Sequence, residues 1–155
     1  MKKKSLTLPM LIALLGVLMM IVSVFLPYIT ADKREAAYIF GEGVDSVTMI
    51  SFAEICLDSI LFAGIGITLY VLVGMLGLFA LLALLFVLLK KPIPAIVFTV
   101  LSASSFFLYG SMFNLERTDC SLGMAYYIYL IAAVVAVFGS IWLKVAKVKA
   151  KKQTV

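Results

Sequence analysis

A chain of 155 residues that is 65% hydrophobic and 14% charged, with a mean hydropathy of +1.19, carries more apolar surface than a soluble domain of its size can bury. Its net charge of +5 is a sum over segments of opposite sign, so it is not the basic footprint of a nucleic-acid binder. The absence of histidine removes His-based acid–base catalysis, Ser-His triads and imidazole metal sites.

A membrane-spanning helix needs about 20 mostly apolar residues to cross a hydrocarbon layer about 30 Å thick. Four uncharged stretches meet that requirement, at about 6–28, 66–89, 93–113 and 124–143. They are continuous apolar runs without the alternation of barrel strands. The predicted fold is therefore an all-α membrane protein, one domain over 1–155 built as an antiparallel bundle of four transmembrane helices. The connections fall at 29–65, 90–92 and 114–123, with a tail at 144–155. Met1 to Lys4 before an apolar run also fits a secretory signal with a cleavage point near Ala31. The run exceeds the about 7 to 15 residues of a signal core, which favours an uncleaved anchor.

Lysines and arginines near span ends are retained in the cytoplasm. Lys2, Lys3, Lys4, Lys90, Lys91, Lys144, Lys147, Lys149, Lys151 and Lys152 occupy the two tails and the second connection, which hold no acidic residue. Asp32, Glu35, Glu42, Asp45, Glu54 and Asp58 lie in the first connection, and Glu116 and Asp119 in the third. The expected topology has both termini cytoplasmic and these two connections outside, in a plasma membrane. Phe25 and Tyr28, Phe106, Phe107 and Tyr109, and Tyr126, Tyr127 and Tyr129 are expected at the outer interface, with Trp142 at the inner boundary. Pro92 and Pro94 belong to the first turn of the third span, where a missing N–H costs little.

The first outer loop has a pattern of its own. Ala37 to Phe40 and Val44 to Ile50, around Gly41-Glu42-Gly43, predict a small β-hairpin. Ser51-Phe52-Ala53-Glu54 has the form of a capping box, with Ile50 and Ile55 as its staple, and predicts a short helix from Phe52 to about Ala63. That helix is expected to bend near Gly64 and Gly66 into the second span; one long helix from Phe52 to Leu89 is the rival reading. Cys56 and Cys120 both fall outside. They form a candidate disulfide, which would close a loop of about 65 residues for roughly 4 kcal/mol, or they are two unrelated small apolar residues.

Membrane helices associate where small residues let backbones approach. Candidate packing seams are Gly66, Gly74 and Gly77 in the second span and Ala132, Ala136, Gly139 and Ser140 in the fourth. Thr99, Ser102, Ser105 and Tyr109 form a hydroxyl row in the third span. It reads first as a packing face and alternatively as a polar path or a headgroup site, although no ionisable residue of the kind that marks conduits is buried with it. Glu54 and Asp58 lie four apart on one helical face, as a solvated acidic surface before a carboxylate pair. Lys144, Lys147, Lys149, Lys151 and Lys152 are a candidate lipid-surface segment as well as a topology signal.

Four spans, inner termini and a larger first outer loop with strands resemble the topology of the claudin and peripheral-myelin-protein group. That group carries Gly-Leu-Trp and a cysteine pair in this loop, whereas the loop here has no Trp and only Cys56, so the resemblance covers architecture alone. The small lysine-tailed bundle is also similar to many small bacterial inner-membrane proteins. Thiol-oxidising four-span proteins use Cys-x-x-Cys pairs, which are absent. The expectation is a non-enzymatic structural, scaffold or accessory protein without catalytic residue, cofactor or metal. Its expected partners are membrane lipids and a membrane-protein partner or a second copy of itself. The alternative is a small transporter or channel component lined by the third span.

Overall fold

Helix α1, Lys4–Ser23, ends where Ser23 Oγ donates to the Met20 carbonyl at 2.7 Å. The chain then tightens into i→i−3 bonds through Leu26, and Pro27, lacking an N–H, stops it. The first helix is thus shorter than the expected 6–28. In the computed structural model, which describes residues 4–31, 40, 43–59, 62–112 and 120–152, it is followed by β1 (Ile29–Ala31), β2 (Ser46–Val47) and α2 (Met49–Asp58). Helices α3 (Ala63–Leu88) and α4 (Pro92–Ser111), strand β3 (Cys120–Leu122) and helix α5 (Met124–Lys152) complete the described chain.

Three of these helices, α3, α4 and α5, are long and apolar enough to cross a membrane; the apolar part of α1 over Thr7–Ser23 is shorter. α1, α3, α4 and α5 pack in a closed ring, with α1 against α5 and α3 against α4 as the most extensive pairs. The exterior of the ring is apolar. Leu11, Leu15, Val71, Leu78, Val134 and Phe138 are all exposed, an arrangement that lipid covers favourably and water does not.

The two tight seams are built differently. A Cβ placed on Gly16 would lie 2.8 Å from Ala136 Cα, and one on Gly139 would lie 2.7 Å from Ala13 Cα, so α1 and α5 run antiparallel with backbones nearly touching. The α3–α4 seam is filled by rings instead, with Phe86 and Phe98 stacked at 5.4 Å. Ala132, Ala136, Gly139 and Ser140 are buried along α5. Gly74 and Gly77 depart from the expected seam, because open space surrounds the position of a side chain at each.

A small sheet forms at one end of the ring, and the first arm of the expected hairpin falls mostly on residues that are not described. Strand order is β2-β1-β3, all antiparallel, with Ile29 opposite both Val47 and Leu122 and Ala31 opposite Cys120. Among the described residues, Ser46 and Val47 pair with Thr30 and Ile29, the residues after α1, and the chain turns helical at Met49. Residues 37–39 and 41–42 lie outside the described residues. Gly43 does adopt a left-handed φ of +84, as a glycine turn requires.

Helix α2 begins three residues before the capping box places it. Thr48 is the N-cap, its Oγ1 accepting from the Ser51 N–H at 3.1 Å, so Ser51 sits inside the first turn. Ile50 is likewise helical, which removes the staple. The helix ends at Asp58 and α3 restarts at Ala63, so neither the single long helix nor a bend at Gly64 forms. Gly66 serves contact: a Cβ there would lie 2.7 Å from Leu57 Cα, which lets α2 lie directly on α3.

At the far end, Lys90 takes a φ of +56 and closes α3. Its N–H bonds the Val87 carbonyl and that of Lys91 bonds the Phe86 carbonyl, at 2.9 and 2.8 Å, a Schellman turn with lysine where glycine is usual. Pro92 then starts α4 as expected. Helix α5 runs unbroken through Lys152, where the sequence pattern places a separate tail from 144.

Candidate functional site

The hydroxyl row of α4 faces the interior and is bonded within the protein. Thr99 Oγ1 donates to the Ala95 carbonyl at 2.8 Å, Ser105 Oγ to the Leu101 carbonyl at 3.1 Å, and Tyr109 Oη to the Met49 carbonyl at the start of α2 at 2.8 Å. Ser102 Oγ lies 2.9 Å from the Leu76 carbonyl and 2.8 Å from Tyr129 Oη. A carbonyl only accepts, so Ser102 donates to Leu76 and Tyr129 donates to Ser102. This relay joins α3, α4 and α5 through one serine.

Above the relay lies an aromatic cluster. Phe106 stacks on Tyr129 with centroids 4.0 Å apart, and Tyr28 meets Phe106 and Tyr109 edge-on at 5.6 and 5.3 Å. Edge-to-face and offset contacts of this kind add about 0.5–1.5 kcal/mol each beyond burial. Tyr28, Phe106, Tyr109 and Tyr129 are at most 1% exposed, which corrects their expected place in an interfacial belt. Phe25, Phe107 and Tyr127 keep outward positions. Tyr28 Oη is buried without a hydrogen-bond partner, as is Ser140 Oγ. Periodicity could have found this cluster, since Phe106 and Tyr109 share the α4 face of Ser102 and Ser105.

The backbone around Tyr28 ties the sheet to the helices. The Tyr28 N–H bonds the Val47 carbonyl, the Gly123 N–H bonds the Tyr28 carbonyl at 2.7 Å, and the Ala125 N–H bonds the Pro27 carbonyl. Gly123 is buried where a Cβ would lie 2.8 Å from the Pro27 carbonyl carbon. The end of α1, the strand before α2 and the start of α5 are thereby one unit, and Phe40 and Phe52 belong to the same buried core as Tyr28, Ile29 and Val47.

Cys56 and Cys120 are both free thiols and half-buried. Burial pushes the Cys56 thiol above its ordinary pKa, which holds it protonated and poorly nucleophilic at neutral pH. Glu54 is exposed on α2 and accepts from Tyr70 Oη at 3.3 Å, while Asp58 ends the helix in an exposed position. Asp32, Glu35, Glu42, Glu116 and Asp119 lie outside the described residues. Among the described residues no three His, Cys, Asp or Glu side chains gather to hold a metal ion.

At the opposite end of the ring, Lys90, Lys91, Lys144, Lys147, Lys149 and Lys151 are exposed. Lys147 Nζ donates to the Lys90 carbonyl at 2.6 Å and so bridges α5 to the α3–α4 turn. Comparison with known proteins finds no matching family model, no matching curated protein and no matching solved structure.

Proposed function

We propose that this chain is a non-enzymatic, multi-pass protein of the plasma membrane, crossing it four times with both termini cytoplasmic. In this reading it acts as a scaffold or accessory that presents a preformed recognition surface outside the membrane. α1 joins the other three helices of the ring as a span, because its 20 residues extend about 30 Å at about 1.5 Å per residue. Retention of lysine then sets the α3–α4 turn and the end of α5 inside, and the sheet and α2 outside.

The observation that carries the reading is the sheet itself. Strands from both outer connections join around β1, and α2 is docked on α3 through Gly66, so the outer face is organised by the bundle. A two- or three-residue strand has no stability alone; one tied at Tyr28 and Gly123 to two helix ends does. The internal bonds of Thr99, Ser102, Ser105 and Tyr109 favour packing over a polar path, since a path needs hydroxyls free to meet a solute.

Crosslinking in native membranes followed by purification and mass spectrometry tests the proposal. A stoichiometric membrane-protein partner or a defined homo-oligomer, crosslinked through α2 or the sheet, supports it. A lone monomer, or solute flux in vesicles that Ser102→Leu with Ser105→Leu abolishes, overturns it in favour of transport. Labelling of a cysteine introduced at Glu42 in intact cells checks the orientation.

A further inference from the structure

Cytoplasmic retention needs only positive charge, in any conformation. The turn end holds its lysines in one place. Lys90 is fixed in a left-handed turn, and the bond from Lys147 Nζ to its carbonyl holds α5 beside that turn. Lys144 and Lys151, three residues before and four after Lys147, fall on the same side of α5, and Lys91 follows Lys90 with its side chain exposed. Lysines of two elements therefore meet where Lys147 reaches Lys90, with Lys91 next along the turn and Lys144 and Lys151 on the same side of α5. All eight carboxylates of the sequence fall in the other two connections, so none lies in the segments that build this cluster.

Like charges held this close raise each other's energy, and an anion seated among them lowers it. Depth identifies the anion. Helix α5 has 29 residues and is about 43 Å long, so about 13 Å of it extends beyond a hydrocarbon layer about 30 Å thick. The uncharged part ends at Leu143, and the cluster begins where the helix leaves hydrocarbon, at the level of lipid phosphates.

We propose that the cluster at the α3–α4 turn binds the phosphate of an anionic phospholipid of the adjacent leaflet, with Lys90, Lys91 and Lys147 as direct contacts and Lys144 and Lys151 flanking. The site rests on the membrane-spanning reading above and is independent of any protein partner. It differs from a general attraction of the tail to the membrane surface, because α5 stays helical through Lys152 and is pinned to the turn by the bond from Lys147 to Lys90.

The test uses the full chain purified in mild detergent and equilibrated with equal amounts of phosphatidylglycerol and phosphatidylcholine of the same acyl chains. Native mass spectrometry then counts retained lipids as detergent is stripped. Each lysine near an anionic headgroup favours it by about fivefold, so with three direct contacts the first retained lipid should be phosphatidylglycerol in about hundredfold excess. Lys91→Gln with Lys147→Gln should bring that excess down to about fivefold, the share of Lys90, and millimolar glycerol phosphate should leave the wild-type excess intact. Equal retention of the two lipids by the wild type, an excess undiminished in the double variant, or competition by glycerol phosphate overturns the site. If the double variant fails to fold, Lys91→Gln alone decides, since its exposed side chain makes no contact that the fold requires; it should lose about fivefold. Failure of the spanning reading registers separately, as release of the protein from membranes by alkaline carbonate.

Discussion

At the sheet end of the ring, segments almost a hundred residues apart in sequence are joined by backbone hydrogen bonds, with Thr30 opposite Ser121 and the Gly123 N–H on the Tyr28 carbonyl. At the turn end the joint is local: Phe86 through Pro92 close α3 and open α4 within a single tight turn, and Lys147 reaches in from α5. Long-range ties at one end and a local one at the other mean that the two ends should respond to substitution differently. The sheet end loses several contacts when one residue changes, while the turn end can be improved piecemeal.

The largest effect is expected at Gly123, where a side chain would be driven into the Pro27 and Tyr28 backbone. Gly123→Val should cost about 3 kcal/mol in unfolding measured by dodecyl sulfate titration of mixed micelles. Gly74→Val, on an open helix surface, should stay within about 0.5 kcal/mol. Equal losses at the two glycines would mean that valine in a membrane helix, and not the knot, sets the penalty.

Ser102→Ala comes next. It strands the buried Tyr129 hydroxyl and breaks the relay to Leu76, for about 1–3 kcal/mol in the same titration. Tyr129→Phe in the Ser102→Ala background should then recover most of that loss, since both ends of the bond are gone. Failure to recover would show that Tyr129 has a second partner.

These sites also show what the sequence made legible. The three long helices were readable because each is a continuous run that only lipid or a deep core accepts, and Pro92 with Lys90 and Lys91 marked the turn. The hydroxyl row was visible by periodicity, and its partners were not, because Leu76 and Met49 contribute backbone carbonyls that carry no sequence signal. Ile29 to Ala31 was hidden at the end of an apolar run, where a strand and a helix end look alike. The capping-box pattern points to Ser51, but strand β2 ends at Val47, opposite Ile29, and the helix starts directly after it with Thr48 as its cap. Gly66, Gly74 and Gly77 form one stripe in the sequence, yet of the three only Gly66 has a neighbour close enough to require glycine.

The turn end offers a gain. Lys90 bears a left-handed φ of +56 that glycine adopts without strain, so Lys90→Gly should stabilise the protein by about 1 kcal/mol. Lys147 donates to the backbone carbonyl and not to the side chain, so the bridge survives the change. An unfolding midpoint that falls instead would show that the Lys90 ammonium, through bound lipid, contributes more to stability than the turn costs.

The smallest shift is expected at Tyr28, and its sign separates two views of the sheet end. The ring is packed between Phe106 and Tyr109, which Phe at position 28 would preserve, while the hydroxyl is buried beside Gly110 with no partner. A buried hydroxyl without a bond opposes folding, so Tyr28→Phe should be neutral or stabilising by up to about 1 kcal/mol. Tyr109→Phe, which deletes the bond to the Met49 carbonyl, should instead cost about 1 kcal/mol. If Tyr28→Phe proved the costlier of the two, the Tyr28 hydroxyl would be engaged in the membrane-embedded protein, and the aromatic cluster would be a binding site instead of packing.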